Sequence, residues 1–183
     1  KFSNLRRFDD GTLRILESVL ICKDVKSLLE VRSTLREFMR HESLGVIHEI
    51  AEKSVEQKLY ILDFFVRAFD LVGDVESCLA LRYEALVLRE LKSTSNQWLK
   101  VSYREWLTFA EHSLENGFYS IARKACENAL LCFQNGMDLG TDKFSNAQVI
   151  NKIKRFKDFT MASAASRSVQ VQAAEYLEKK TAE

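Results

Sequence analysis

Between Ser102 and Phe133, the run SYREWLTFAEHSLENGFYSIARKACENALLCF sets two apolar helical faces on either side of a single turn. Trp106, Phe109, Ala110 and Ser113 recur at helical spacing on the first arm, and Ile121, Ala122, Ala125, Cys126, Ala129 and Leu130 on the second. Asn116-Gly117 separates the arms, glycine being the residue that ends a helix in the left-handed conformation at least cost. A helical hairpin is therefore expected here, and the rest of the chain is consistent with more of the same. It contains no proline and only 6 glycines, so helices can run unbroken and tight turns are few. An all-α fold follows, and a sheet protein does not.

The same stretch resembles the tetratricopeptide helix pair. Trp106, Phe109-Ala110, Gly117-x-Tyr119, Ala122 and Ala129-Leu130 stand at that family's offsets. Small residues at Ala110, Ala122 and Ala129 would let the two helices approach closely, which is the physical content of the pattern. Ser113 stands where the family has Tyr and Gln134 where it has its terminal Pro. Any tightly packed antiparallel helix pair would satisfy the small positions equally well.

Two earlier turns fall into register with Gly117. Asp24-Val-Lys-Ser-Leu-Leu-Glu-Val-Arg32 matches Asp74-Val-Glu-Ser-Cys-Leu-Ala-Leu-Arg82 in Asp, Val, Ser, Leu and Arg, and each Asp can cap the second arm of a hairpin. Lys23, Gly73 and Gly117 then mark three turns, with an extra short helix expected over Leu44 to Lys53 and a longer entry from Ser93 to Val101. Asp9 or Asp10 can cap a first helix through about Cys22, with Leu13, Leu16, Val19 and Leu20 on one face. Ahead of it, Phe2, Leu5 and Phe8 form a short amphipathic turn. Ser54-x-x-Gln57, Thr94-x-x-Gln97 and Ser145-x-x-Gln148 have capping-box form and predict helix starts. Tyr60, Phe64, Phe65 and Phe69 make the broadest apolar stripe, read as core.

After Phe133, Asn135-Gly136 and Gly140 flank a loop, and a helix from Asn146 to about Phe159 points Val149, Ile150, Ile153 and Phe156 inward. Met161 to Ser168 reads as a hinge and Val169 to Lys180 as a final helix that caps the array or engages a partner. The expected architecture is a short right-handed α-solenoid of about three stacked hairpins with C-terminal capping helices. Residues 1-160 form the repeat domain and 161-183 the hinge and last helix.

Catalytic signatures are missing from the sequence. There is no phosphate-binding glycine loop, no G-x-S-x-G elbow and no paired carboxylate motif, and His48-Glu49 lacks the second His of a zinc-protease helix. No enzyme activity, metal or cofactor is expected. The four cysteines, Cys22, Cys78, Cys126 and Cys132, sit in apolar helical runs and read as buried reduced thiols, which points to an intracellular compartment. No run is long and apolar enough for a membrane span or signal peptide, and the lack of an initiator Met implies that a targeting segment can lie outside this stretch. A net charge of +1 provides no global field for nucleic acid or membrane.

Two candidate surfaces remain. Carried over from the tetratricopeptide pattern, the groove side of the first arms comprises Tyr60, Asp63, Arg67 and Asp70 in one unit and Arg104, Leu107, Glu111 and Leu114 in the next. The groove is mixed in charge and lacks the Lys and Asn set that clamps a peptide carboxylate, so a helix or extended peptide carrying both charge signs suits it better. The alternative is a nucleic-acid-binding module built on the basic helix face Lys152, Lys154, Arg155 and Lys157, with Arg6-Arg7 and Lys179-Lys180 as allies if the fold gathers them. Pairing of two copies through an uncovered terminal face is a further option.

Over SNQWLKVSYREWLTFAEHSLENGFYSIARKACENAL, Ser95 to Leu130, and across most of its length, the chain also resembles a plant-specific family of meiotic factors. That resemblance implies a nuclear accessory protein needed to start recombination by DNA double-strand break formation. Such a protein would act on chromatin through protein partners and would not cut DNA itself.

Overall fold

The structure is a computed structural model that describes residues 7–21, 24–134 and 143–181. Among the described residues there are seven α-helices and one 3-10 turn: α1 (Asp10–Leu20), α2 (Val25–Glu49), α3 (Val55–Val72), α4 (Val75–Lys92), the turn Gln97–Leu99, α5 (Tyr103–Glu115), α6 (Tyr119–Gln134) and α7 (Lys143–Thr181). The all-α expectation holds. Phe2, Leu5, Cys22, the turn at Lys23 and the Asn135–Gly140 loop lie outside these residues, as do the side chains of Lys179 and Lys180.

Helix starts follow local chemistry. Asp9, Asp24, Ser54 and Asp74 each accept a backbone N–H of the first turn that follows, and Ser102 exchanges hydrogen bonds with Glu105 in a full capping box. Two expected capping boxes are not used. Thr94-x-x-Gln97 leads only into the 3-10 turn, and Ser145 lies inside α7, which starts at Lys143.

Two helices are longer than expected. The predicted separate helix from Leu44 to Lys53 is the end of α2, which runs unbroken through Gly45 because Met39, Ser43, Val46 and Ile50 keep one buried stripe at helical spacing. The expected hinge at 161–168 is helical as well. α7 spans 39 residues, about 58 Å at the α-helical rise. Met-Ala-Ser-Ala-Ala-Ser-Arg-Ser contains no helix breaker, and alanine is the best helix former. The boundary expected near residue 160 therefore falls within a helix.

The chain divides into two compact units, Lys1–Leu99 and Lys100–Glu183. In the first, α1 and α2 pack on the α3/α4 hairpin around Leu13, Leu16, Met39, Val46, Leu62, Phe64, Phe65, Ala68, Phe69 and Val72. Phe8, Phe64, Phe65 and Phe69 form a chain of ring contacts with centroids 5.3 to 6.3 Å apart, each worth about 1 kcal/mol beyond burial. Val19 and Tyr60, both expected inward, are exposed.

In the second unit α5, α6 and α7 pack together. Trp106, Phe109, Ala110 and Ser113 on α5 and Ala122, Ala125, Cys126 and Ala129 on α6 are completely buried, as the hairpin pattern predicts. Ile121 sits at the exposed edge and Leu130 is half-buried. Lys157 meets Glu127 and Arg167 meets Gly117, so α7 runs antiparallel to α6. Ile153 and Thr160 of α7 are fully buried.

Candidate partner-binding faces

Both hairpin turns are closed by the same pair of hydrogen bonds. Gly73 N donates to Asp70 O and Asp74 N to Phe69 O; Gly117 N donates to Leu114 O and Phe118 N to Ser113 O. This is the Schellman arrangement, and it puts each glycine at positive φ, 70° and 79° respectively. A guanidinium then reaches each glycine carbonyl from outside the hairpin: Arg36 Nη2 at 3.4 Å from Gly73 O, and Arg167 Nη1 at 3.2 Å from Gly117 O.

At the first turn, sequence reading finds the cap but misses the clamp. Arg40 of α2 donates from Nε and Nη2 to Asp74 at 2.6 and 2.8 Å, while Ser77 donates to the same carboxylate from its amide and hydroxyl. Asp74 is 3% exposed. Burial opposes its ionisation, but the Arg40 guanidinium and the Ser77 donors outweigh it and hold the carboxyl below the usual range. Arg36 and Arg40, one turn apart on α2, carry no local signal, because their partners lie more than thirty residues further along the chain.

Tyr60, Asp63, Arg67 and Asp70 share the exposed face of α3, opposite Phe64, Phe65, Ala68 and Phe69. The end of that face is not open. Arg67 Nη1 pairs with Asp10 Oδ1 of α1 at 2.8 Å, and Arg67, Asp70 and Leu71 share a cleft of about 400 Å³ with Asp10, Leu13, Arg14 and Glu17. The cleft lies against α1, a neighbour that the groove pattern does not predict. In the second unit Arg104 and Glu111 are exposed on α5, with Leu107 and Leu114 half-buried between them, and Arg104 Nε donates to Tyr103 Oη at 3.1 Å. The two quartets belong to different compact units.

The basic set divides. Lys152, Lys154 and Arg155 are exposed on α7, whereas Lys157 is half-buried with Nζ 3.9 Å from Glu127 Oε1, which also faces Arg123 Nε at 3.8 Å. Arg7, an expected ally, is engaged with Asp9 at 2.9 Å. Cys78, Cys126 and Cys132 are buried free thiols. Desolvation pushes the Cys126 thiol up to about 11 despite the opposing charge of Lys157. Among the described residues no three His, Cys, Asp or Glu side chains gather as a metal site, and no helix is long and apolar enough to cross a membrane.

No protein-family model and no solved structure matches the chain. It is similar to the Arabidopsis thaliana protein named Protein DOUBLE-STRAND BREAK FORMATION. The two are 50% identical over 166 residues, which cover 89% of this chain and 71% of that protein.

Proposed function

Because the chain belongs to the Protein DOUBLE-STRAND BREAK FORMATION family, we propose that it is a non-catalytic accessory factor in meiotic DNA double-strand break formation, acting through protein partners. The carrying observation is the 50% identity maintained over 89% of the chain, which spans both compact units. In this reading the hairpins serve as a tetratricopeptide-like scaffold in the nucleus that reaches chromatin through its partners. Each exposed stripe, that on α3 and that on α5, would by itself hold a helix or extended peptide. Both carry charges of opposite sign, Arg67 with Asp63 and Asp70 on one and Arg104 with Glu111 on the other, which favours a partner segment of mixed charge.

The test is replacement in Arabidopsis plants that lack the relative. Expression of this chain in their meiocytes is expected to restore break formation, scored by counting labelled break sites. A chain that accumulates normally while breaks stay absent would overturn the assignment. A companion assay incubates the purified chain with supercoiled plasmid and divalent cation. Plasmid nicking that co-purifies with the chain would overturn the non-catalytic part alone.

A further inference from the structure

From Lys143 to Arg167, α7 carries Lys143, Lys152, Lys154, Arg155, Lys157 and Arg167 against the single carboxylate of Asp158. On a solvated helix face, pairing such cations with carboxylates three or four residues away adds stability. Here Lys157 alone of the central four makes such a contact, and it does so across to Glu127. Among the described residues Lys152, Lys154 and Arg155 have no carboxylate within ion-pair distance, although Asp158 lies four residues beyond Lys154.

The second observation is aromatic. Lys152, Arg155 and Phe159 stand at spacings of three and four, so they form one stripe on the side of α7 away from buried Ile153 and Thr160. Phe159 is 59% exposed. Cations that track a phosphate backbone, with an open aromatic face beside them, are what an unpaired nucleic acid strand requires. An acidic peptide would satisfy the cations but would give the ring no flat partner.

We propose that this outer stripe of α7 is a contact surface for single-stranded nucleic acid, with Lys152 and Arg155 neutralising phosphates and Phe159 stacking on a base, while Lys154 lies on the opposite flank of the helix. The proposal goes beyond the accessory role, which needs no such contact by this chain.

The test is a fluorescence-anisotropy titration of the full chain with a labelled oligonucleotide of about 16 nucleotides. The same sequence as duplex and a polyglutamate peptide serve as competitors. Single strand is expected to bind more tightly than duplex and to lose roughly sevenfold in affinity between about 50 and about 200 mM salt, the change for two phosphate contacts. Lys152→Glu with Arg155→Glu should weaken both nucleic acids by more than about tenfold. Phe159→Ala should weaken the single strand by about fivefold or more and leave the duplex nearly unchanged. Lys26→Glu with Lys53→Glu, an equal charge change on the first unit, should have little effect, and circular dichroism checks that each variant stays folded. Any one of three results overturns the proposal: no binding at the lower salt, indifference to the α7 charge reversal, or polyglutamate displacing the strand as well as duplex does. Equal behaviour of Phe159→Ala and the parent on single strand would remove the stacking contact.

Discussion

The α3/α4 and α5/α6 hairpins close through the same glycine turn with the same two backbone hydrogen bonds, yet their buried faces differ in side-chain volume. The first is packed with large rings, Phe64, Phe65 and Phe69, together with Phe8 from before α1. The second sets Trp106 and Phe109 against Ala122, Ala125, Cys126 and Ala129, all completely buried. One turn is held by a buried carboxylate and two arginines, and the other by a single arginine. The turn thus fixes only the reversal of direction. How tightly two arms approach depends on side-chain volume, and what secures the turn depends on the third helix laid against it.

Substitutions that treat the hairpins oppositely test this contrast. The largest effect is expected from Phe65→Ala, which empties the ring-packed first core and should cost about 3 to 5 kcal/mol in chemical denaturation. In the second hairpin addition should do the damage. Ala122→Trp should cost about 3 kcal/mol or more by overpacking, whereas Ala122→Gly should cost only about 1 kcal/mol. If Ala122→Trp left the melting temperature unchanged, close approach of α5 and α6 would not be what the alanines provide.

Next comes the clamp. Asp74→Asn should cost about 2 kcal/mol at neutral pH through the lost charge-assisted bonds to Arg40. The sign of its pH dependence follows from the lowered folded-state value. The contribution is fully present above the ordinary carboxylate range and is lost as pH falls through the lowered folded-state value. Acid melting curves of parent and Asp74→Asn should therefore converge as pH drops below about 4. Curves that stay parallel would show that the pair adds nothing.

The smallest contrast lies in the glycines. Each replaced by Ala at positive φ should cost about 1 kcal/mol. Gly117→Ala should cost a few tenths more than Gly73→Ala, because a Cβ at Gly117 would lie 3.0 Å from Arg167 Nη1 while one at Gly73 meets nothing within 4 Å. Repeating Gly117→Ala in an Arg167→Ala background should erase the difference.

These contrasts also mark what could be read from the chain alone. The α5/α6 arms were legible because small residues repeat at helical spacing on both sides of Asn116-Gly117, and the caps at Asp9, Asp24, Ser54 and Asp74 because capping is chemistry between near neighbours. The lengths of α2 and α7 were not. Gly45 and the 161–168 run look like interruptions locally, and it is burial of Val46 and Ile50 in one case, and an alanine-rich composition free of breakers in the other, that carries the helix through. The α3 and α5 stripes came from the tetratricopeptide resemblance, and Tyr60, which periodicity put in the core, is exposed. The capture of Arg67 by Asp10 was not legible, since a contact between residues so far apart leaves no trace in either neighbourhood. The same holds for Arg36, Arg40 and Arg167.

The Arg167 contact at the second turn also bears on the order in which its unit assembles. Closing either hairpin needs only a short loop, and contacts of low sequence separation form early and fast. The carbonyl that Arg167 meets, fifty residues away, is held at the helix end only once Gly117 has adopted its left-handed conformation. Docking of α7 is thus expected to come late, so that Arg167→Ala should speed unfolding and leave the refolding rate almost untouched, whereas slowed refolding would show that α7 docks early.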